Sequence, residues 1–413
     1  MNQRANLTPG VIFLLALVVL LNYIDRGSLA TAAPLLQDEL GLTSTEIGIL
    51  LSAFFWTYAP GQLFAGWAAH RFAIHLVLAA GVLLWAAATA LNGLATAFTT
   101  LLFLRLLLGI GESVTFPSIQ LLLVRHTHER QRGFLTGVVF MGQGIGPMLG
   151  TLFGGLAMAH FGWRFMFVAL GIITAIWVLP WILATRRAAI PAHVEEAGSS
   201  VPYLEIIRQR DFWGTALGHF SVNYAFYFII SWLPTFLVKS AGFTVTQMAG
   251  IGALIYGIYA ASTALSGVAT DYFIRRGGSV TRVRKAFILI SAAGSGLTIA
   301  LAGYVDPRNT IGLLCAAGVF FGMGTPMVFA IGSTIAGPRA AGRWAAAQNV
   351  CGQMAGIVAP IVTGFLVQRT GNFAWAFAVS AAVPLAGMFA WGVVLRRVEP
   401  LSWSSARYSL AGR

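Results

Sequence analysis

An all-α membrane protein of twelve transmembrane helices, arranged as two pseudo-symmetric six-helix halves, is the fold class this sequence predicts. Three observations carry the prediction. The chain is 57% hydrophobic and only 9% charged, with a mean hydropathy of +0.78, a balance that a water-solvated domain does not reach. Apolar runs of about 20 residues, enough for a helix to cross ~30 Å of hydrocarbon, recur from end to end. The second half also repeats the pattern of the first, as set out below.

Segments long enough to span fall at 11–35, 44–69, 74–96, 98–124, 133–159, 165–185, 211–238, 245–270, 285–304, 309–336, 343–368 and 372–395. The first follows a short polar stretch, Met1 to Gly10, and no small-residue cleavage site comes after it, so it reads as a retained helix and not a signal peptide. A long polar interruption, Arg186 to Arg210 (RRAAIPAHVEEAGSSVPYLEIIRQR), divides the segments six and six. The expected organisation is therefore an N-terminal half over 1–185, a cytoplasmic linker over 186–210 and a C-terminal half over 211–413. Cys315 and Cys351 both lie in apolar segments, which points to neither a disulfide framework nor a metal cluster.

The net charge of +13 raises the question of a nucleic-acid partner, and its distribution answers it. With the N-terminus placed inside, twenty of the 26 basic residues fall on the cytoplasmic side and only Arg164, Lys239, Arg308 and Arg369 on the outer side; Arg26 and Arg105 lie within spans. This is the positive-inside bias, and it orients both termini to the cytoplasm. The basic balance thus reports topology, with the lipid bilayer as the partner and no nucleic acid required.

The internal repeat is specific. GQGIGPMLGTLFGGLAMAHFG from Gly142 and GQMAGIVAPIVTGFLVQRTG from Gly352 align their Gly-Gln pairs and the glycines Gly154 and Gly364 at an offset of 210 residues. GIGESVTF from Gly109 and GMGTPMVF from Gly322 match at an offset of 213. Repeated halves in a membrane protein are the mark of a transporter whose substrate sits at the repeat interface.

Two loop signatures resemble the major facilitator superfamily. Its G-x-x-x-D-R-x-G-x-R/K loop appears here as GWAAHRFAIH, keeping Gly66 and Arg71 but with His70 for the aspartate and Ala73 for the second glycine. The second copy, GVATDYFIRRG, keeps Gly267, Asp271 and Arg275. By resemblance these five kept residues help hold one alternating-access state closed, and His70 removes the acid of the N-terminal latch. Within the superfamily, NYIDRGSLATAAPLLQDELGLTSTEIGILLSAFFWTYAPGQLFAGW, LRLLLGIGESVTFPS and NYAFYFIISWLPTFLV are similar to the anion:cation symporter family. That resemblance implies a monomeric multi-pass carrier of a bacterial cytoplasmic membrane, importing a small organic anion with protons. It needs no cofactor beyond the proton gradient.

Four charges lie inside the predicted spans away from their ends: Asp25, Arg26, Arg105 and Glu112. An embedded charge costs at least ~2.5–3.5 kcal/mol on insertion scales, so such groups face a cavity and pair. Two readings fit. The quartet joins the first and fourth segments as neutral glue, or an arginine there takes a substrate carboxylate while an acid carries the coupling proton. In the second reading Arg26 binds the carboxylate. By resemblance to the galactonate carriers, Asp25 and Glu112 are the proton-carrying acids and Arg105 the partner whose pairing changes with their protonation.

No carboxylate or arginine lies deep in the C-terminal spans, so that half is expected to offer neutral hydrogen bonds. Candidates are Asn223, Tyr224, Tyr256, Tyr259, Gln348 and Asn349, with Tyr23, Tyr58 and Gln143 from the first half. Resemblance supports Tyr23, Tyr58, Gln143 and Asn349 as pocket-lining, and Tyr224 and Gln348 join them as substrate-binding candidates; helix-to-helix bonding is the competing role for each. His219 reads as a packing histidine or a proton relay. His126 and His128 have no third ligand for a metal. Trp232 and Pro234 mark the outer end of the seventh segment, where a break would make a gate.

One motif favours a different function. Gly133, Gly142, Gly146, Pro147 and Gly150 nearly reproduce the glycine-proline pattern of proton-coupled drug exporters, lacking only the glycine at Thr151. Export of a small organic compound by antiport is the alternative, and close helix packing is the third explanation of the same glycines. No phosphate-binding loop and no convergent nucleophile and base are visible, so an enzyme is not expected.

Overall fold

In the computed structural model, residues 7–127, 129–187 and 201–403 are described, and all regular structure among them is helical. His128, most of the expected linker (188–200), the terminal residues 1–6 and 404–413, and the side chain of His70 lie outside the described set. The helices are α1 (Pro9–Arg26), α2 (Ser28–Leu40), α3 (Ser44–Arg71), α4 (Ile74–Asn92), α5 (Phe98–Ser113), α6 (Thr115–His126), α7 (Glu129–Phe140), α8 (Gly142–Ile176) and α9 (Val178–Arg187). They continue with α10 (Tyr203–Ile207), α11 (Arg210–Thr235), α12 (Val245–Arg275), α13 (Val280–Ala302), α14 (Ile311–Thr370) and α15 (Ala374–Phe389). Single π-helical turns, Phe236–Ser240 and Ala390–Val394, extend α11 and α15.

Local signals set the helix ends. Thr8 caps α1, its hydroxyl accepting from the Val11 N–H, and Pro9 takes the first helical position, where a missing N–H costs nothing. Thr43 and Glu46 form a reciprocal capping box at the start of α3 (Glu46 N to Thr43 Oγ1, 3.2 Å; Thr43 N to Glu46 Oε2, 2.8 Å). Gly41 (φ 64°) and Gly371 (φ 71°) close α2 and α14 in the left-handed conformation.

Among the described residues, nine helical stretches are long and apolar enough to cross a membrane. Two of them, Phe134–Arg186 and Ile311–Thr370, run for 53 and 60 residues, well beyond a single crossing. Each contains one sharply non-helical glycine, Gly162 (φ 82°, ψ 161°) and Gly337 (φ 65°, ψ 175°), where two helices join end to end. Divided at these glycines, the nine stretches correspond to eleven of the expected spans, and the expected span 44–69 falls on α3 (Ser44–Arg71). Large apolar side chains such as Phe13, Phe64, Phe153, Phe161, Leu179 and Leu265 are exposed, as a lipid-facing surface requires.

The chain forms two compact units. The first comprises Met1–Glu196 with Ile230–Tyr256, the second Ala197–Ile229 with Gly257–Arg413. Segment 230–256, the end of α11 and the start of α12, thus groups with the N-terminal helices. Small residues let it approach: a Cβ on Gly155 would stand 2.6 Å from the Ala249 Cβ, and one on Gly252 2.6 Å from the Thr151 methyl. Lys239 adds an ion pair to Asp38 at the end of α2. Beside it Glu39 accepts from the Trp163 indole (2.6 Å) and from Arg164 (2.8 Å), and Arg164 also donates to the carbonyl of Ala95 (2.8 Å), tying α2, α8 and the turn after α4 together at one end.

In the second unit the core is aromatic, with Phe212, Trp344 and Trp391 buried. Its last described residues run as a strap over the bend in α14. Leu401 N donates to Ile335 O (2.9 Å) and the Trp403 indole to Ala336 O (2.9 Å), satisfying carbonyls that the bend at Gly337 removes from helical bonding.

Candidate functional site

The four embedded charges converge in the first unit, on α1 and α5. Arg26 ends α1, and its Nη2 donates to Glu112 Oε2 at 3.0 Å and to Asn22 Oδ1, one turn back, at 3.3 Å. Both partners of the ion pair are buried. Asp25 is fully buried and forms no ion pair among the described residues; Thr89 of α4 donates to its Oδ2 at 2.6 Å and Ser28 to its Oδ1 at 3.3 Å. Arg105 is buried as well, its Nε donating to Leu50 O at 3.4 Å.

Glycines put these groups in place. A Cβ on Gly111 would stand 2.7 Å from the Trp85 amide nitrogen of α4, and one on Gly109 would strike the Phe54 carbonyl of α3, so α5 lies against both helices and carries Glu112 between them. The glycines of α8 serve α1 in the same way: Cβ atoms on Gly142, Gly146 and Gly150 would stand 2.7 Å from Leu20 N, 2.5 Å from Tyr23 Cβ and 3.0 Å from Ile24 Cα. Three residues of the glycine-proline pattern that favoured an exporter, Gly142, Gly146 and Gly150, thus serve close packing of α8 on α1.

Aromatic rings surround Arg26. Its Cζ lies 4.7 Å from the ring centroids of Tyr23 and Tyr58 and 5.0 Å from that of Phe54, distances at which the ring quadrupole attracts a cation. Phe54 also lies 5.5 Å from the Arg105 Cζ and stacks on Tyr58 at 4.8 Å. Gln143 donates to the Tyr23 hydroxyl at 2.6 Å, fixing that ring. Of the sequence-predicted site residues, Tyr23, Asp25, Arg26, Tyr58, Arg105, Glu112 and Gln143 therefore form one cluster. Thr89, Ser28, Asn22 and Phe54 complete it and had no sequence signal beyond their helical register.

The second-unit candidates form a separate group. Gln348 is fully buried, its Oε1 accepting from the Trp344 indole (3.1 Å) and its Nε2 donating to Val328 O (3.0 Å), so both ends of the amide serve the packing of α14. Asn349 follows it, half-buried, and Tyr224 is buried on α11. Asn223 donates to Gly352 O (3.1 Å), and Tyr227 to the Gln353 amide oxygen. His219 packs edge-on to Phe329 with centroids 5.2 Å apart, and a Cβ on Gly352 would stand 2.6 Å from its ring. Its surroundings are those of a packing residue. Gly66 and Arg71 fall in the last turns of α3, and Gly267, Asp271 and Arg275 in those of α12, with Asp271 and Arg275 exposed.

In a helical membrane protein a buried carboxylate–guanidinium cluster marks a functional site, and substrate pathways and proton relays are among the uses of such groups. The chain belongs to the Major Facilitator Superfamily, whose model matches residues 15–360. It is 28% identical over 401 residues to a probable sulfoacetate transporter of Cupriavidus necator, covering 93% of each chain. It is 29% identical over 403 residues to a hexuronate transporter of Bacillus subtilis, covering 95% of this chain and 94% of that one. A D-galactonate transporter of Escherichia coli is 27% identical over 422 residues, with 96% and 97% covered. Among solved structures, a bacterial homolog of the human lysosomal transporter Spinster, in an inward-facing and occupied conformation, matches 98% of this chain and 96% of its own, with a TM-score of 0.74 and 21% identity. That likeness shares the fold.

Proposed function

We propose that this transporter is a proton-coupled symporter that imports a small organic anion, a sugar acid or another carboxylate, by alternating access of its two halves. The observation that carries the reading is the buried Arg26–Glu112 pair at 3.0 Å, with Asp25 and Arg105 beside it. The named cargoes of the relatives, sulfoacetate, hexuronate and D-galactonate, are all anions and support the same class.

The geometry suggests a competition. While Glu112 is ionised it occupies the Nη2 edge of Arg26. Proton uptake by Glu112 removes the negative charge, and the incoming carboxylate takes its place on the guanidinium in a charge-assisted bond. Release of the anion and the proton to the cytoplasm restores the original pair. Asp25 is the second proton site, and Arg105 the cation whose pairing follows the two acids. Tyr23, Tyr58 and Gln143 shape the anion site in the first half; Asn349 and Tyr224 are the candidates of the other half, and Gln348, whose amide is engaged at both ends within α14, is left out. Gly66, Arg71, Gly267, Asp271 and Arg275 act in gating. The carrier works as a monomer in a bacterial cytoplasmic membrane, with both termini inside, and uses no cofactor beyond the proton gradient.

The test is uptake into proteoliposomes under an inward proton gradient, screened across sugar acids, hexuronates, sulfoacetate, short monocarboxylates and aromatic acids. Accumulation of one of these with the gradient, abolished by its collapse, is the expected result. If no anion accumulates, the symport reading falls.

A further inference from the structure

The two oxygens of Asp25 are held by two different elements. Thr89 on α4 donates to Oδ2 at 2.6 Å, and Ser28, the first residue of α2, donates to Oδ1 at 3.3 Å. Between Asp25 and Ser28 lie only Arg26 and Gly27, the residue at which α1 stops and α2 starts. The carboxylate therefore joins three helical elements at the point where the first span is broken. Asp25, Thr89 and Ser28 are all buried, so water does not replace either bond. The charged groups whose fields reach Asp25 are Arg26 on its own helix and Arg105 and Glu112 on α5. The face of α8 against α1 offers glycines and Gln143, and α4 offers Thr89.

A hydroxyl donates or accepts, and which it does depends on its neighbour. With Asp25 ionised, both hydroxyls donate to it in charge-assisted bonds. When Asp25 takes up one proton, the oxygen that carries it becomes a donor. The hydroxyl opposite must then turn to accept, Thr89 returning its own hydrogen to a backbone carbonyl one turn back in α4 and Ser28 to one in the last turn of α1. The other bond persists, but to a neutral group, and is weaker.

We propose that Thr89 and Ser28 are positioning residues that clamp the ionised Asp25 and convert its protonation into a loosening of the α1–α2 break at Gly27. The inference rests on the reading of Asp25 as a proton carrier and adds to it the means by which its charge state reaches the helices.

The experiment is pH-jump infrared difference spectroscopy on the full chain in lipid, with amide hydrogen exchange on the same samples. The carboxyl C=O band of protonated Asp25 is assigned by its loss in Asp25→Asn. Thr89→Val, which keeps shape and removes the hydroxyl, is expected to move that band, and Thr89→Ser to restore it. Exchange at the amides of residues 27–31 is expected to rise about tenfold in Asp25→Asn and in Thr89→Val relative to the parent at alkaline pH, the scale of one lost charge-assisted bond. A band that stays in place in Thr89→Val, or exchange unchanged at the break in both variants, overturns the inference while leaving Asp25 as a proton carrier. Absence of any band lost in Asp25→Asn overturns the proton-carrier reading, and the clamp with it.

Discussion

Glu112→Gln tests the competition for Arg26 directly. The substitution keeps the side-chain shape and an oxygen able to accept from Arg26 Nη2, but removes the charge. One buried bond of 3.0 Å is affected, and it joins side chains exposed by 6% (Arg26) and 0% (Glu112), so solvent screening is slight. Charge-assisted hydrogen bonds contribute about 1.5–3 kcal/mol and neutral ones about half that, so the guanidinium is released by roughly 1–1.5 kcal/mol. An anion that must displace residue 112 from Arg26 should then bind about tenfold more tightly at alkaline pH, where the parent has Glu112 ionised. The proton carried by Glu112 is lost at the same time, so accumulation driven by a proton gradient should collapse while anion counterflow persists. Equilibrium binding in detergent and the two transport modes in proteoliposomes measure this for the anion that accumulates best in the uptake screen. Binding weakened by the substitution, or gradient-driven accumulation equal to the parent's, refutes the competition.

Arg26→Ala should abolish anion binding and leave the buried Glu112 without its guanidinium, a change that costs about 3–5 kcal/mol in buried pairs. Denaturant unfolding should show much of that loss recovered in Arg26→Ala/Glu112→Gln. At Gly146 a Cβ would meet Tyr23 Cβ at 2.5 Å, so Gly146→Val should push α1 away, lower the melting temperature and impair uptake, with an overpacking cost of about 1–3 kcal/mol. Gly154, with nothing within 4 Å of its Cβ position, is the control, and Gly154→Ala should behave as the parent. Trp403→Phe removes the indole donor to Ala336 O and should destabilise the second unit by about 1 kcal/mol, read as a shift in thermal unfolding. Lys239→Ala breaks a solvent-accessible pair with Asp38 and should cost no more than about 1 kcal/mol in the same measurement.

The sequence made the helices and the charged quartet legible because both are strong signals in a membrane: length of apolar run, and any charge at depth. It also brought Tyr23, Tyr58 and Gln143 to the cluster. The partner choices within the cluster were not legible. Glu112 pairs with Arg26, and Asp25 is held by hydroxyls; this depends on how α1, α4 and α5 are rotated against each other, which the glycines at 109, 111 and 146 decide through contacts across helices. Thr89 carries no mark in an apolar segment that sets it apart from a threonine bonded to its own backbone, as Thr298 is to Gly294 O. Gln348 shows the converse: an amide in a span looks like a ligand contact, yet both of its ends serve α14 and a neighbouring indole. The two sharp bends were legible as boundaries, since the gaps 160–164 and 337–342 between expected spans contain Gly162 and Gly337; that the helix resumes there with almost no loop was not.

The rings of Tyr23, Tyr58 and Phe54 around Arg26 have a consequence for the unloaded carrier. Aromatic faces attract a cation through their quadrupoles and make no claim on its N–H groups. Positive charge is thereby tolerated at depth by the rings as well as by its acidic partner Glu112. In a carrier that neutralises Glu112 during its cycle, the rings go on attracting the guanidinium, so the cation is not stranded in the interval before cargo reaches it.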